Sequence, residues 1–326
     1  MEIKDSVDSA WQTIIRDLFA YGARNAGDSR DGDVSHELVG YSLKIDASNQ
    51  QTFLMNPARK LSPSYAAAET LWYMSGTDRI DMLEAYAPSY VKFANKDKRA
   101  YGAYGKRVMS YLNYAVDILL RDWRSRQAVV SIWRPDDLLM VGRTPDMPCT
   151  LTWQFLLRDN KLDMVVNMRS NDVWLGFPYD VFAFTCFQRL VANTLNTRVG
   201  IYHHNVGSMH LYARNRDAAG QAIDWKRWKD PDFAAYKLRH DWDSRDTTHN
   251  ISNAYVSEHI LRTNRVHSEG PIIGDGLVAK DEVLRRLNAC GSMLNDLVRA
   301  CNSKLRKDIY LGNFNSGALK HAVSPV

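Results

Sequence analysis

The alternation of helical and strand-like patterns in this 326-residue chain predicts one α+β domain with a peripheral C-terminal segment. Two observations carry this prediction. Apolar residues recur at helical spacing over residues 6–22, and two alternating strands are joined at Asp159 and Asn160 into a hairpin. The sequence shows no internal repeat, low-complexity tract or linker, so we expect no division into independent units.

The first half of the chain switches between the two patterns. Ser62 followed by Pro63 is typical of a helix start, because serine caps free amides and proline fits the first turn. The predicted elements are a helix over residues 6–22, a polar loop from Asn25 to Asp33, a strand over 38–46, a helix after Ser62 that carries Glu69, and a helix over 107–123.

The second half supplies most strands of the predicted sheet. Residues 127–134 are mostly apolar and are predicted to form a buried strand. The predicted elements are strands over 127–134, 150–158, 161–169 and 199–206, a helix from Pro178 to about Asn193, and a last helix over 281–304. Residues 226–280 are polar and show few clear elements.

Composition favours a globular protein that acts on a small molecule. Apolar residues make up 45% and charged residues 24% of the chain. The net charge of +5 is small and scattered, which suits an anionic small substrate better than nucleic acid. The four cysteines match no common zinc spacing and are too few for a disulfide scaffold, so we expect no metal and a reducing cytoplasm. Neither a signal peptide nor a membrane span is predicted.

Residues 148–180 concentrate the side chains that carry chemistry. Cys149 follows a proline at the start of a predicted strand, and Arg169, Asp172 and Asp180 come soon after it. A thiol, a guanidinium and two carboxylates in one short span suit nucleophilic attack on an anionic substrate. The local residues alone are equally compatible with a buried structural cysteine at position 149. The other three cysteines are predicted to be structural.

Ordered blocks over about residues 10–220 resemble the thymidylate synthase superfamily, and within it the phage-type deoxycytidylate 5-hydroxymethylases. The blocks are Arg30, Glu69–Tyr73, Tyr104–Lys106, Ser131–Pro135, Cys149–Thr150, Val165–Val173, Gly176–Phe177 with Asp180, and Asn205–Tyr212. The resemblance implies a thymidylate synthase-like fold with a central mixed sheet flanked by helices, and a homodimer packed through the sheet. Residues 1–225 are the implied catalytic core, and 226–326 continue the same domain with no assigned role.

The resemblance implies a one-carbon transfer to C5 of a pyrimidine. Cys149 adds to C6, which makes C5 nucleophilic enough to attack the one-carbon unit of 5,10-methylenetetrahydrofolate. Loss of tetrahydrofolate leaves an exocyclic methylene, which a synthase reduces with hydride and a hydroxymethylase hydrates. Glu69 is the implied general acid–base, working through ordered water. If Glu69 is buried, its apolar neighbours predict a raised pKa. The alternative is that Glu69 is a solvent-exposed carboxylate on the helix surface.

The resemblance also assigns residues to the nucleotide. Guanidinium forks match phosphate oxygens bidentately, and one implied phosphate ligand is an arginine donated across the dimer interface. That arginine is Arg126, and Gln127 departs from the usual arginine pair. The implied contacts are Arg30, Arg126, Arg169 and Ser170 for the phosphate, and His210 and Tyr212 for the sugar 3′-hydroxyl.

Asp180 is predicted to select the base. Synthases that act on uracil carry asparagine at the matching position, and its amide accepts from N3–H and donates to O4. In cytosine, N3 is an acceptor and the 4-amino group is a donor, the reverse of uracil. A carboxyl group can accept from this 4-amino group and share a proton with N3. An acidic residue in the first turn of the helix opened by Pro178 is the alternative explanation, because the helix dipole favours it.

Folate contacts complete the implied site. Asp172 matches the carboxylate that contacts the pterin, and Tyr90 and Phe93 stand where synthases carry two tryptophans. The implied folate-binding residues are Asp172, Trp72, Tyr90, Phe93 and Tyr104. Thr150 replaces the histidine that usually follows the catalytic cysteine, so water rather than hydride is expected to quench the intermediate. Residues 318–326 resemble the tail that closes over folate, with a frayed terminus as the alternative.

The leading hypothesis is a homodimeric transferase, in a bacterial or phage-infected cytoplasm, that makes 5-hydroxymethyl-dCMP. One rival is a CMP hydroxymethylase of a nucleoside-antibiotic pathway, which the residues around His210 leave open. A thymidylate synthase or dUMP hydroxymethylase is a second rival, and Asp180 and Thr150 argue against it. The last rival is a nucleotide- or RNA-binding protein that kept the fold but lost the chemistry. The intact Cys149, Glu69 and Arg169 argue against it.

Overall fold

The chain forms a mixed β-sheet with helices packed against it, which confirms the predicted α+β class. The structure, a computed structural model, describes residues 2–25, 33–49, 51–223, 250–263, 266–267, 278–290 and 292–305. Arg30 and residues 318–326, both named above, lie outside the described residues.

The described residues contain the following elements. The helices are α1 (Val7–Tyr21), α2 (Pro63–Met74), α3 (Asp81–Tyr86), α4 (Tyr104–Arg121), α5 (Phe177–Thr194), α6 (Arg216–Ile223), α7 (Ile251–Arg262), α8 (Lys280–Ala289) and α9 (Ser292–Leu305). The strands are β1 (Ile3–Lys4), β2 (Ala23–Asn25), β3 (Ser35–Asp46), β4 (Val129–Ser131), β5 (Thr150–Arg158), β6 (Lys161–Asp172), β7 (Arg198–Tyr212), β8 (Val266–His267) and β9 (Val278–Ala279).

The large sheet has the strand order β1-β3-β7-β6-β5-β4, with β2 paired to β3. The central strands β6 and β7 run parallel and are connected by α5, whereas β3 and β5 pair antiparallel to them. The predicted hairpin between β5 and β6 is confirmed. Its turn residues Asp159 and Asn160 have φ of 49° and 55°, the left-handed values that a tight hairpin turn requires.

Two helices carry the residues of the candidate site. The predicted start of α2 is confirmed, because the Ser62 side chain accepts a hydrogen bond from the amide of Tyr65 and Pro63 opens the helix. Helix α5 is buried along nearly its whole length, and Gln188 donates to carbonyl groups of β6 and β7. Gln188 therefore holds α5 against the sheet, and α2 packs against α5.

Three predictions of elements differ from the structure. The predicted buried strand over 127–134 is the short edge strand β4, because the amides of Ile132 and Trp133 both donate to the Leu151 carbonyl and end the ladder there. The predicted last helix is two helices, α8 and α9, and Gly291, a poor helix former, lies between them. Helix α7 lies in the polar region where few elements were expected.

The C-terminal helices pack against the helices that support the site. Helices α7 and α9 contact α2, and the Tyr86 hydroxyl of α3 donates to the buried Glu258 of α7 at 3.0 Å. In the described part of the chain, no helix is both long enough and apolar enough to span a membrane.

Candidate active site

Cys149 immediately precedes β5 and has part of its side chain exposed, whereas the other three cysteines are buried. The Tyr104 hydroxyl accepts hydrogen bonds from the amides of Cys149 and Thr150, both at 3.3 Å. This phenol comes from the first turn of α4 and holds the backbone at the nucleophile. Of the four cysteines, Cys149 therefore has the accessibility that a nucleophile needs.

Arg169 places a positive charge beside the Cys149 sulfur. Its Nη2 lies 3.7 Å from Sγ, and its Nε donates to the Pro148 carbonyl at 3.0 Å. The Arg169 amide also donates to the Cys149 carbonyl at 2.8 Å, so β6 fixes the arginine relative to the cysteine. A neighbouring guanidinium favours the thiolate, which is the nucleophilic form of the side chain.

Glu69 is buried on α2 between two tyrosines of the same helix. The Tyr65 hydroxyl donates to Oε1 at 2.8 Å, and Tyr73 makes a further hydrogen bond to the carboxyl group. Burial raises the pKa of Glu69 from 4.5 to about 7, and the two hydrogen bonds oppose part of that rise. A carboxyl group with a pKa near neutrality suits proton transfer in both directions.

Asp180 is buried in the first turn of α5, where Asn171 Nδ2 donates to its Oδ2 at 2.7 Å. Burial, together with the nearby charge of Glu69, raises its pKa well above the ordinary value, although the hydrogen bond from Asn171 opposes the shift. Asp180 and Cys149 both interact electrostatically with Tyr104. The cysteine, Glu69 and Asp180 therefore border one region of the protein.

The residues assigned to the sugar and phosphate lie on adjacent strands. Ser170 of β6 pairs with Ser208 of β7, and Ser170 Oγ lies 3.5 Å from His210 Nδ1. His210 Nδ1 also donates to the Ser208 carbonyl at 3.3 Å, so the ring is held by its own strand. The Tyr212 ring stands edge-on to His210, with centroids 5.0 Å apart. This group can offer a hydroxyl and an imidazole to a sugar phosphate.

Asp172 provides an unused acceptor next to this group. Its Oδ1 accepts from the amides of Trp174 and Leu175, and among the described residues its buried Oδ2 has no hydrogen-bond partner. Burial raises the pKa of Asp172, and the charge of His210, its cross-strand neighbour, opposes the rise. A buried acceptor of this kind fits a ligand that carries N–H donors, as a pterin does.

The aromatic residues assigned to folate pack in a chain of rings. Tyr90 stands edge-on to Phe93 at 5.4 Å and to Trp72 at 5.8 Å between centroids. Trp72 is only 1% exposed, and its indole N–H donates to the Arg79 carbonyl. Trp72 therefore supports Tyr90 from the protein interior. Tyr90 and Phe93 are only partly buried, so their rings have the surface that a flat ligand could contact.

Arg126 is exposed and lies outside this group. It precedes the edge strand β4, and its carbonyl accepts from Gln154 Nε2 at 2.8 Å. No described contact joins its guanidinium to the residues around Cys149 in the same chain.

Several residues of the site had no role predicted from the sequence. Tyr65 and Tyr73 stand four residues before and after Glu69, and this helical spacing could have identified them. Asn171 and His204 had no comparable signal, because their hydrogen bond joins separate strands and is visible only in the fold.

The profile of the thymidylate synthase family matches residues 9–257. The chain belongs to the thymidylate synthase family. Members of this family are one-carbon transferases, so the predicted superfamily and enzyme class are confirmed. The finer assignment to the hydroxymethylases is not decided by this match.

Relatives in the thymidylate synthase family are distant in sequence. The thymidylate synthase of Bacillus subtilis subsp. natto is 25% identical over 246 residues, which are 69% of this chain and 86% of the relative. The thymidylate synthase of Bacillus phage phi3T gives the same identity and coverage. The solved structure of thermostable thymidylate synthase A from Bacillus subtilis covers 67% of this chain and 84% of its own, with a TM-score of 0.58 and 22% identity. That likeness shows the shared fold.

Proposed function

We propose that this family member is a pyrimidine nucleotide 5-hydroxymethyltransferase. It converts dCMP, 5,10-methylenetetrahydrofolate and water to 5-hydroxymethyl-dCMP and tetrahydrofolate. The observation that carries the proposal is the buried carboxyl group of Asp180, whose pKa is raised well above the ordinary value. A neutral carboxylic acid has one donor and one acceptor, and that pair is complementary to N3 and the 4-amino group of cytosine.

The first step depends on Cys149, Arg169 and Asp180. The Cys149 thiolate, favoured by the Arg169 guanidinium 3.7 Å away, forms a bond to C6 of the base. Negative charge then develops towards N3, where Asp180 supplies a proton. C5 becomes nucleophilic and forms a bond to the one-carbon unit of the folate substrate.

Later steps need proton transfer and water. Glu69, with its pKa of about 7, exchanges protons with the ring through ordered water as C5 loses its hydrogen. Tetrahydrofolate leaves, water adds to the exocyclic methylene, and the bond between Cys149 and C6 breaks. Thr150 stands in place of the family histidine after the cysteine, which supports the hydration step over reduction by hydride.

The phosphate and the folate complete the proposed site. Arg169 and Ser170 bind the phosphate, and His210 with Tyr212 binds the sugar. The exposed Arg126 is suited to reach the phosphate of a second copy, so we propose a homodimer that packs through the sheet. Asp172 Oδ2 would accept from the pterin, and Tyr90 and Phe93 would line the pterin wall.

A product panel tests this function directly. Purified protein is mixed with methylenetetrahydrofolate and equimolar dCMP, CMP, dUMP and UMP, and products are identified by mass. Hydroxymethylated dCMP is the expected product. Hydroxymethylated CMP would show the same reaction on a ribonucleotide and place the protein in ribonucleotide metabolism. A methylated uracil nucleotide would contradict the proposal.

The base assignment is tested by Asp180→Asn. The amide cannot share a proton with N3, so kcat/KM for dCMP should fall and that for dUMP should rise relative to it. Asp8→Asn is the matched control, because Asp8 is another buried carboxyl group with a raised pKa and lies on α1, outside the site. An unchanged dCMP to dUMP ratio in Asp180→Asn would contradict the assignment.

A further inference from the structure

Three buried side chains stand in a row behind Asp180. Tyr202 Oη lies 2.9 Å from Nδ1 of His204, and His204 Nε2 lies 3.0 Å from Oδ1 of Asn171. Asn171 Nδ2 then donates to Oδ2 of Asp180 at 2.7 Å. The row runs from β7 through β6 to the first turn of α5, and all four side chains are buried.

The hydrogen bonds of this row run in one direction. Burial lowers the pKa of His204 to about 3, so its ring is neutral and has one donor and one acceptor. Asn171 turns its amide NH₂ towards Asp180, so its carbonyl oxygen faces His204 and requires the Nε2–H as donor. Nδ1 is then the acceptor, and the Tyr202 hydroxyl donates to it.

We propose that Asn171, held in orientation by His204, is a positioning residue that keeps the proton of the Asp180 carboxyl group on Oδ1. A proton on Oδ2 would face the N–H of Asn171, and the carbonyl-type oxygen is the better acceptor for that donor. The neutral acid therefore offers a donor at Oδ1 and an acceptor at Oδ2.

This order of donor and acceptor gives the carboxyl group a base preference. This preference rests on the proposed function. In that function, the Oδ1–H of Asp180 donates to N3 of cytosine, and Oδ2 accepts from the 4-amino group. The reverse order would match N3–H and O4 of uracil equally well. An isolated carboxylic acid can adopt either order, so without Asn171 the site would discriminate weakly between the two bases.

The first test compares specificity in Asn171→Leu, His204→Phe and Thr185→Val. Thr185 is a matched control, because it is also buried on α5 but its hydroxyl donates to carbonyl groups of the same helix. Asn171→Leu should lower the ratio of kcat/KM for dCMP to that for dUMP by roughly 10- to 100-fold, the change expected for one hydrogen bond to an ionisable group. His204→Phe should lower it less, and Thr185→Val should leave it unchanged. Equal ratios in all three variants would overturn the proposal.

The second test measures the hydrogen bonding of the Asp180 carboxyl group by infrared spectroscopy of the ligand-free protein. The infrared C=O stretch of protonated Asp180 is identified by its loss in Asp180→Asn. It should move to higher wavenumber in Asn171→Leu and in His204→Phe, and stay in place in Thr185→Val. If the wild type fails to use dCMP but the band moves, the proposed function is wrong and the positioning role stands. An unmoved band in both row variants overturns the positioning role, whichever base the enzyme uses.

Discussion

The raised pKa of Glu69 predicts the pH dependence of the reaction. Glu69 accepts, through ordered water, the proton that C5 loses, so the ionised form is the active one. With a pKa of about 7, Glu69 is mostly protonated at pH 6 and mostly ionised at pH 8. We expect kcat/KM to fall about tenfold per pH unit below this value.

Two substitutions on α2 test whether Glu69 is the group that titrates near pH 7. Glu69→Gln removes the titrating group, so the inflection near pH 7 should disappear and the rate should fall about 10²- to 10⁴-fold. Tyr65→Phe removes a hydrogen bond that lowers the pKa of Glu69, so the inflection should move to higher pH.

The assay is tritium release from 5-tritiated dCMP between pH 5 and pH 9, which follows addition of Cys149 and loss of the C5 hydrogen. Asp8→Asn is the control, because burial also raises the pKa of Asp8 to about 7 but Asp8 lies outside the site. Its profile should match the wild type. An inflection that persists in Glu69→Gln, or that moves to lower pH in Tyr65→Phe, would refute the reasoning.

Three further predictions address the nucleophile and the stability of the fold. Cys149→Ser should abolish turnover but keep dCMP binding measured by calorimetry; measurable turnover would contradict its role. The pKa of Asp8 is raised in the folded state, so the free energy of unfolding should fall by up to about 4 kcal/mol as pH rises from 4 to 7. Asp8→Asn should remove most of this pH dependence in denaturant titrations. Arg107 and Asp137 form a buried ion pair at 2.6 Å. Asp137→Ala should therefore lower the free energy of unfolding by roughly 3–5 kcal/mol in the same titrations. A decrease below about 1 kcal/mol would contradict this prediction.

Local patterns account for the parts of the fold that sequence predicted well. The cap at Ser62, the turn at Asp159 and Asn160, and the start of α5 depend on residues that are neighbours in the chain. The edge position of β4 was missed, because an apolar run predicts burial but not the number of neighbouring strands. The division of the last helix was missed because its apolar periodicity continues across Gly291.

The sequence by itself determined the family, the order of the motifs and the identity of the nucleophile candidate, since these are properties of residue types and their spacing. Only the tertiary structure decided which cysteine is accessible, how far the pKa of Glu69 rises, and which side chains orient Asp180. The physical reason is that burial and hydrogen bonding come from residues on separate elements. Asn171 reaches both Asp180 and His204 only because β6, β7 and α5 pack together.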